Sequence, residues 1–202
     1  MKLTLTQFVT LDGVCQAPGG PQEDTSGGFE HGGWSFPYSD EDFGAFVVEA
    51  FGRVDAFLLG RRTYEIFAGY WPKQTDPADP IATKLNALPK YVASTTLSSG
   101  DWTGTQIVGA QDVVKDVTAL KERPGGELQI HGSGELARTL LAHDLIDTIH
   151  LLTFPVVLGT GKRLFADGTT PTAFRPTATS LTGKGVVITS YDLEGRPTYG
   201  SF

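Results

Sequence analysis

Three points in the chain place small and basic residues where an extended apolar run gives way to a helical one. The first is Gly132-x-Gly134-x-x-Ala137. A first glycine permits a tight turn and a second lets backbone approach a phosphate. The following helix N-terminus supplies free N–H groups and a positive dipole end. Taken alone, this spacing suits a plain strand–helix turn equally well, and no acidic residue follows about 20 positions on to hold a ribose hydroxyl. The second point is Gly60-Arg61-Arg62-Thr63, with two guanidinium groups and a hydroxyl at another helix start. The planar donor fork of arginine suits phosphate. The third is Ser94-Thr95-Thr96, three hydroxyls ending a short apolar run. Ligands of parallel sheets bind beyond the carboxyl ends of the strands, so all three points fall on one sheet edge. Two phosphate-competent helix starts with an arginine pair imply a dinucleotide carrying an extra 2′-phosphate, NADP rather than NAD.

A long Gly/Pro-rich segment, residues 13–39, carries Phe29, Trp34, Phe36 and Tyr38. A loop of this length inside a domain is often functional, and so many aromatics are costly to leave in water. Trp34, Phe36 and Tyr38 are therefore expected to cover a flat ligand. Asp12 and Asp42 are candidates for proton delivery, and equally a turn residue and a helix-start residue. His131 reads as a packed strand-end residue or a cofactor contact, and Cys15 as a small buried hydrophobe near the same site. Other motifs fail. In residues 156–163 Val156 and Arg163 occupy positions where a P-loop needs glycine and Ser/Thr. Ser133 lacks the flanking glycines of a nucleophile elbow. The four histidines and the one cysteine offer no metal spacing.

Strands and helices must hold these residues in place. Residues 2–10 alternate and read as a strand. Ser39 is the expected cap of a helix whose stripe is Phe43, Phe46, Val47, Ala50 and Phe51. Strands are expected over 54–59, 90–94, 106–108, 127–131 and 146–154. Helices are expected from 61, over 81–88, over 112–122 and over 135–142. Residues 173–182 and 186–193 alternate around Gly183-Lys184-Gly185, a terminal hairpin. The pattern implies one α/β domain with a mostly parallel sheet and an antiparallel C-terminal edge.

The 202 residues carry a formal net charge of −7. That excludes a general nucleic-acid binder, which needs a basic face. A single cysteine points to a reducing, cytoplasmic compartment, and no apolar run is long enough for a membrane span. Glycine is the surplus residue, 25 in all, against a usual ~7%. Many of them stand in residues 13–33 and at the strand ends just named.

Taken in order, these residues resemble the dihydrofolate reductase-like superfamily, in the branch typified by the C-terminal reductase domain of the riboflavin-biosynthesis enzyme RibD. The matching segments are Thr10-Leu11-Asp12-Gly13, Leu59-Gly60-Arg61-Arg62-Thr63-Tyr64-Glu65, Lys90-Tyr91-Val92-Ala93-Ser94-Thr95-Thr96 and Ile130-His131-Gly132-Ser133-Gly134-Glu135-Leu136. The run Pro155-Val156-Val157-Leu158-Gly159-Thr160-Gly161-Lys162-Arg163-Leu164-Phe165 is the most specific. The resemblance implies NADPH across the sheet edge and a small heterocyclic substrate. Gly60, Arg61, Arg62 and Thr63 would hold phosphate and adenosine ribose, and Ser94, Thr95 and Thr96 the 2′-phosphate end. Gly132, Ser133, Gly134, Glu135 and Leu136 would take the pyrophosphate. The nicotinamide would lie near Phe8, Val9 and Val14. The resemblance also implies a homodimer. Two features depart from the family. There is no zinc signature of a deaminase domain. The pterin-contacting acid of dihydrofolate reductases would fall near Gly44, where no acid stands. A ribosylamino-pyrimidine, a pterin, a flavin precursor or a xenobiotic all fit this sequence.

Overall fold

Alternation along each strand decides which helices its side chains meet. In the computed structural model, which describes residues 1–201, the chain runs β1 (Lys2–Thr10), α1 (Glu41–Gly52), β2 (Val54–Gly60), α2 (Arg61–Tyr70), α3 (Pro80–Ala87), β3 (Lys90–Ala93) and β4 (Thr105–Val108). It continues with α4 (Val113–Lys121), β5 (Glu127–His131), α5 (Gly134–Ala142), β6 (Thr148–Phe154), β7 (Ala173–Leu181) and β8 (Val187–Gly195). On β2, Ala56 and Leu58 join a core with Leu3, Leu5, Ile130 and the α4 and α5 residues Val117, Leu120, Leu140 and Leu141. Phe57 and Leu59, on the opposite face, pack with Phe51, Tyr64, Leu85 and Trp102 among α1, α2 and α3. Period-two side chains with apolar residues on both faces are what a sheet covered on both sides requires.

The described strands form one sheet in the order β4-β3-β2-β5-β1-β6-β8-β7. Pairing is parallel from β4 through β6 and antiparallel at β8 and β7. This is the α/β architecture expected, with its antiparallel C-terminal hairpin. Because β1, β2, β3 and β5 are parallel neighbours, their carboxyl ends share one edge.

Residues 13–39 are not a structureless loop. Gln16 acts as an internal splint: its Nε2 donates to Asp24 O at 3.0 Å and Ser26 O at 2.9 Å, and its Oε1 accepts Lys162 N at 3.0 Å. Trp34 Nε1 donates to Gln16 O at 2.8 Å. The Trp34 ring meets Phe154 edge-on, with centroids 5.2 Å apart. The segment thus builds its own small core with Val14, Phe29, Leu152 and Phe154.

The start of α1 differs from expectation. Asp40, not Ser39, is the N-cap: its Oδ1 accepts Phe43 N at 2.9 Å. Its second oxygen accepts Lys184 N at 2.7 Å, and Asp42 Oδ2 accepts Gly183 N at 3.0 Å. A carboxylate has two acceptor oxygens, so Asp40 can cap a helix and dock the β7–β8 turn together, which a serine cannot. Asp12 performs a similar joint. It accepts from Thr10 Oγ1 at 2.6 Å, Leu158 N at 3.2 Å and Gly159 N at 2.8 Å. Arg163 Nε donates to its carbonyl at 2.8 Å.

Two predictions follow from these joints. Gly161 has φ +120°, and a Cβ there would lie 2.7 Å from Val14 Cγ1 and 2.8 Å from Phe29 Cε2. Gly161→Ala should lower stability by about 1–3 kcal/mol in denaturant unfolding and increase proteolysis within residues 13–39; unchanged values would refute the tight packing. For Asp12, the Thr10 hydroxyl is the largest influence, and with the Gly159 and Leu158 N–H groups it outweighs burial, lowering the carboxyl to about 2. A depressed pKa gives stability that is present above pH ~4 and is lost as pH falls through ~2. Asp12→Ala should therefore cost about 1–3 kcal/mol at pH 7, with the gap from the unmodified protein closing near pH 2 in urea midpoints.

Candidate functional site

Three of the five helices spend an aspartate on their first turn, and two do not. Asp40 caps α1, Asp79 caps α3 and Asp112 caps α4. The starts of α2 and α5 carry no side-chain cap. Both open into one cleft of about 890 Å³, across the carboxyl ends of β1, β2, β3 and β5. In α5 the first ladder bond runs from Ala137 N to Ser133 O at 2.9 Å. The N–H groups of Gly134, Glu135 and Leu136 precede that ladder, as do those of Arg61, Arg62 and Thr63 in α2. Two uncapped N-termini side by side make a strongly anion-favouring edge.

Ser133 sets the spacing between them. Its Oγ accepts Gly60 N at 3.0 Å and donates toward Thr63 Oγ1 at 3.0 Å, with His131 O at 3.2 Å. To do so it adopts a left-handed backbone, φ 54°, directly after Gly132 at φ 59°. That conformation costs a non-glycine residue on the order of 1–2 kcal/mol. A Cβ on Gly60 would sit 3.4 Å from Ser133 Oγ, so glycine keeps the junctions close.

The cleft brings together Phe8, Gly60, Arg61, Arg62, Thr63, Ser94, Thr95, Thr96, Gly132, Ser133, Gly134, Glu135 and Leu136. Thr95 and Thr96 are exposed there, whereas Ser94 Oγ accepts Thr96 N at 3.1 Å and Leu97 N at 2.9 Å and shapes the turn. Neither arginine is unpaired. Arg61 meets Glu65 at 2.9 Å, and Arg62 meets Asp24 at 3.5 Å. The Arg61–Glu65 pair is solvent-exposed, and such pairs are weak; Arg62 is itself exposed and its contact to the largely buried Asp24 is long, so neither guanidinium is tightly held. At Asp24, burial opposes ionisation, and hydrogen bonds from Lys162 and Ser26 more than offset it, holding the carboxyl at about 2. Asp24 thereby clasps Lys162 at 2.6 Å and Arg62 together, tying the 13–39 segment to the rim.

Several expectations need correction. Val9 and Val14 are buried and do not line the cleft: Val9 on β1 faces the core under α4 and α5, and Val14, beyond the strand, packs in the Phe154 cluster. Trp34 is 7% exposed and packs on Phe154, and Tyr38 packs on the same ring. Phe36 is 77% exposed on the outside. None of these three aromatics reaches the cleft; Trp34 and Tyr38 anchor the covering segment instead. Asp12 and Asp42 are also outside it, spent on the joints described above. No carboxylate of β1, β5 or α1 lines the cleft.

The apolar end of the cleft is built partly from residues whose spacing reads only as a helix stripe. Phe43, Val47 and Phe51 of α1 line it, with Phe67, Trp71, Ile81 and Leu85. A stripe facing a cleft and a stripe facing a core have the same spacing, so no sequence signal separates them. Thr6 and His131 supply polar groups at this end, and Gln7, on the opposite face of β1, also lines the cleft. Gln7 Oε1 is a buried acceptor without a partner. Burial, reinforced by nearby His150, lowers His131 to about 4 and keeps it neutral. Cys15 also lines the cleft, but burial raises its thiol to about 11, which makes it inert.

Comparison with known proteins agrees with this geometry. The family model described as the RibD C-terminal domain matches residues 1–188. The uncharacterized protein YyaP of Bacillus subtilis (strain 168) is 28% identical over 197 residues, covering 96% of each chain. Among solved structures, a putative riboflavin biosynthesis protein from Shewanella sp. PV-4 superposes with a TM-score of 0.67 at 21% identity, covering 96% of this chain and 99% of that one. A dihydrofolate reductase from Enterococcus faecalis, solved with NADP(H), gives 0.59 at 14% identity and 96% coverage of each chain. The structural likenesses speak to the fold, which is dihydrofolate reductase-like, and the family match to descent: the chain belongs to the RibD C-terminal domain family.

Proposed function

We propose that this protein is an NADPH-dependent reductase that delivers hydride to a small planar heterocycle. The observation that carries the reading is the pair of uncapped helix N-termini, locked side by side by Ser133 at the carboxyl edge of the sheet. Family membership and the NADP(H)-bound Enterococcus faecalis relative in fold support it.

The residues present fit such a cofactor. The N–H groups at the starts of α2 and α5 would take the pyrophosphate. Arg61 and Arg62 would exchange their carboxylate partners for a 2′-phosphate, with Thr95 and Thr96 beside it. Phe8 would bear on the nicotinamide. When bound, the cofactor supplies the hydride. The chain orients the two rings against each other, and the 13–39 segment, clasped through Asp24, excludes water. With Asp12 and Asp42 held elsewhere, neither delivers a proton. The same reading takes the chain as a single domain acting as a cytoplasmic homodimer.

The absence of a carboxylate from β1, β5 and α1 at the cleft favours a second reading, a non-catalytic nucleotide- or pterin-binding protein. Fluorescence titration should show NADPH bound more tightly than NADH. The double change Arg61→Ala with Arg62→Ala should weaken NADPH on the order of 10- to 100-fold while barely affecting NADH. NADPH oxidation should then appear with at least one member of a panel of pterins, flavins and ribosylamino-pyrimidines. Tight binding without turnover would select the second reading, and no NADPH binding would sink both.

A further inference from the structure

We propose that His131 is the substrate-recognising residue of the cleft, presenting the bare Nδ1 of a neutral imidazole as a hydrogen-bond acceptor to a ring N–H, amino or hydroxyl group of the heterocycle. The proposal rests on the reductase reading for what the ligand is, and on the side-chain network alone for what His131 offers.

Gln129 lies two residues before His131 on β5, on the same face of the sheet. Its Nε2 lies 2.7 Å from Ala50 O and 2.7 Å from Glu127 Oε2. Both partners are acceptors, a backbone carbonyl and a carboxylate oxygen of Glu127, whose other oxygen receives Arg53 Nε at 2.8 Å. The amide nitrogen must therefore be the atom facing them, and both of its protons are committed. Gln129 Oε1 is then the atom that faces His131 Nε2, at 3.1 Å. An amide oxygen can only accept, so Nε2 must carry the proton. In a neutral imidazole the other nitrogen is then unprotonated.

That nitrogen is free to act. His131 Nδ1 has no hydrogen-bond partner among the described residues, and it is not sealed from solvent. The residue lines the cleft beside Thr6, its register neighbour on β1, and near Phe8. The ring cannot swing to find another partner. It packs on Phe51 with centroids 4.9 Å apart and on Phe57 at 5.9 Å. Around it the cleft is apolar, with Phe43, Val47 and Phe51 above. A fixed acceptor in such a setting discriminates strongly, because a ligand without a donor leaves it desolvated and unpaired.

The charged neighbours act in opposite senses. His150 of β6 disfavours a second proton, and Glu127 of β5 favours one. The side chains of α1 and β2 that touch the ring, Phe51 and Phe57, carry no charge. Burial dominates, so the acceptor persists down to pH ~4.

The test reads the imidazole directly. In ¹⁵N-histidine-labelled protein at pH 7, His131 should show a protonated Nε2 and a bare Nδ1. The opposite tautomer or a charged ring would overturn the proposal. Gln129→Leu should mix the tautomers without unfolding the protein, which a purely structural glutamine would not do. Aminopyrimidines and pterins are then added to NADP⁺-loaded protein, each beside its N-methylated analogue. A donor-bearing compound should shift the Nδ1 resonance, and its methylated form should not. Its affinity should fall on the order of 10- to 100-fold in His131→Phe, recover in part in His131→Asn, which restores an acceptor near Nδ1, and leave NADPH affinity unchanged. If no compound moves Nδ1, or if His131→Phe weakens NADPH and heterocycle alike, the proposal fails. Failure of NADPH to bind would defeat the reductase reading and would leave the tautomer result standing.

Discussion

The hydroxyl of Ser133 holds together the two backbone segments on which the cleft depends. It receives the N–H of Gly60 and gives its proton toward Thr63, so the beginnings of α2 and α5 are fixed relative to each other within hydrogen-bond distance. Glycines at 60 and 132 allow the approach, and the left-handed backbone at 132 and 133 aims the hydroxyl. Lengthening either contact would separate the two sets of free N–H groups and disperse their combined field, since a helix-end dipole acts over about one turn.

Few of the acidic residues line that edge. The protein carries 23 carboxylates against 16 basic side chains, yet Asp12, Asp40 and Asp42 are turned to structural joints. Asp40 and Asp42 dock the terminal hairpin, and Asp12 stitches the end of β1 to residues 158–163. Glu23, Asp24 and Glu135 do line the cleft, and there Asp24 grips Lys162 and Arg62. A net-negative chain can in this way offer a local anion site.

The sheet itself contributes an unusual row. Side chains on the α1 face of β5, β1 and β6 include Gln129, His131, Thr6 and His150, buried or partly buried beneath an aromatic helix. Polar groups in such a position cost free energy unless paired. Glu127, Gln129 and Arg53 satisfy one another and fix the imidazole beside them. The row rigidifies the apolar end of the cleft and gives it a polar centre.

Local chemistry was legible in the linear sequence where it depends on neighbours along the chain. Strand alternation, the glycine-bearing strand–helix junctions, the arginine pair and the terminal hairpin all follow from spacing, because backbone geometry and dipoles are properties of consecutive residues. The same rules could not say where Trp34, Asp12 or Asp42 would point, since a large aromatic or a carboxylate serves a ligand or a joint with equal chemical ease. Nor could they find His131 in its role. Its acceptor is defined by Gln129, whose orientation is defined by Ala50 of α1 and by Glu127 held on Arg53. Sequence alone settled which elements form and where the glycine-bearing strand–helix junctions fall. Which polar side chain faces the ligand, and in what tautomer, was decided by tertiary packing, because hydrogen-bond directionality is imposed by partners far apart in the chain.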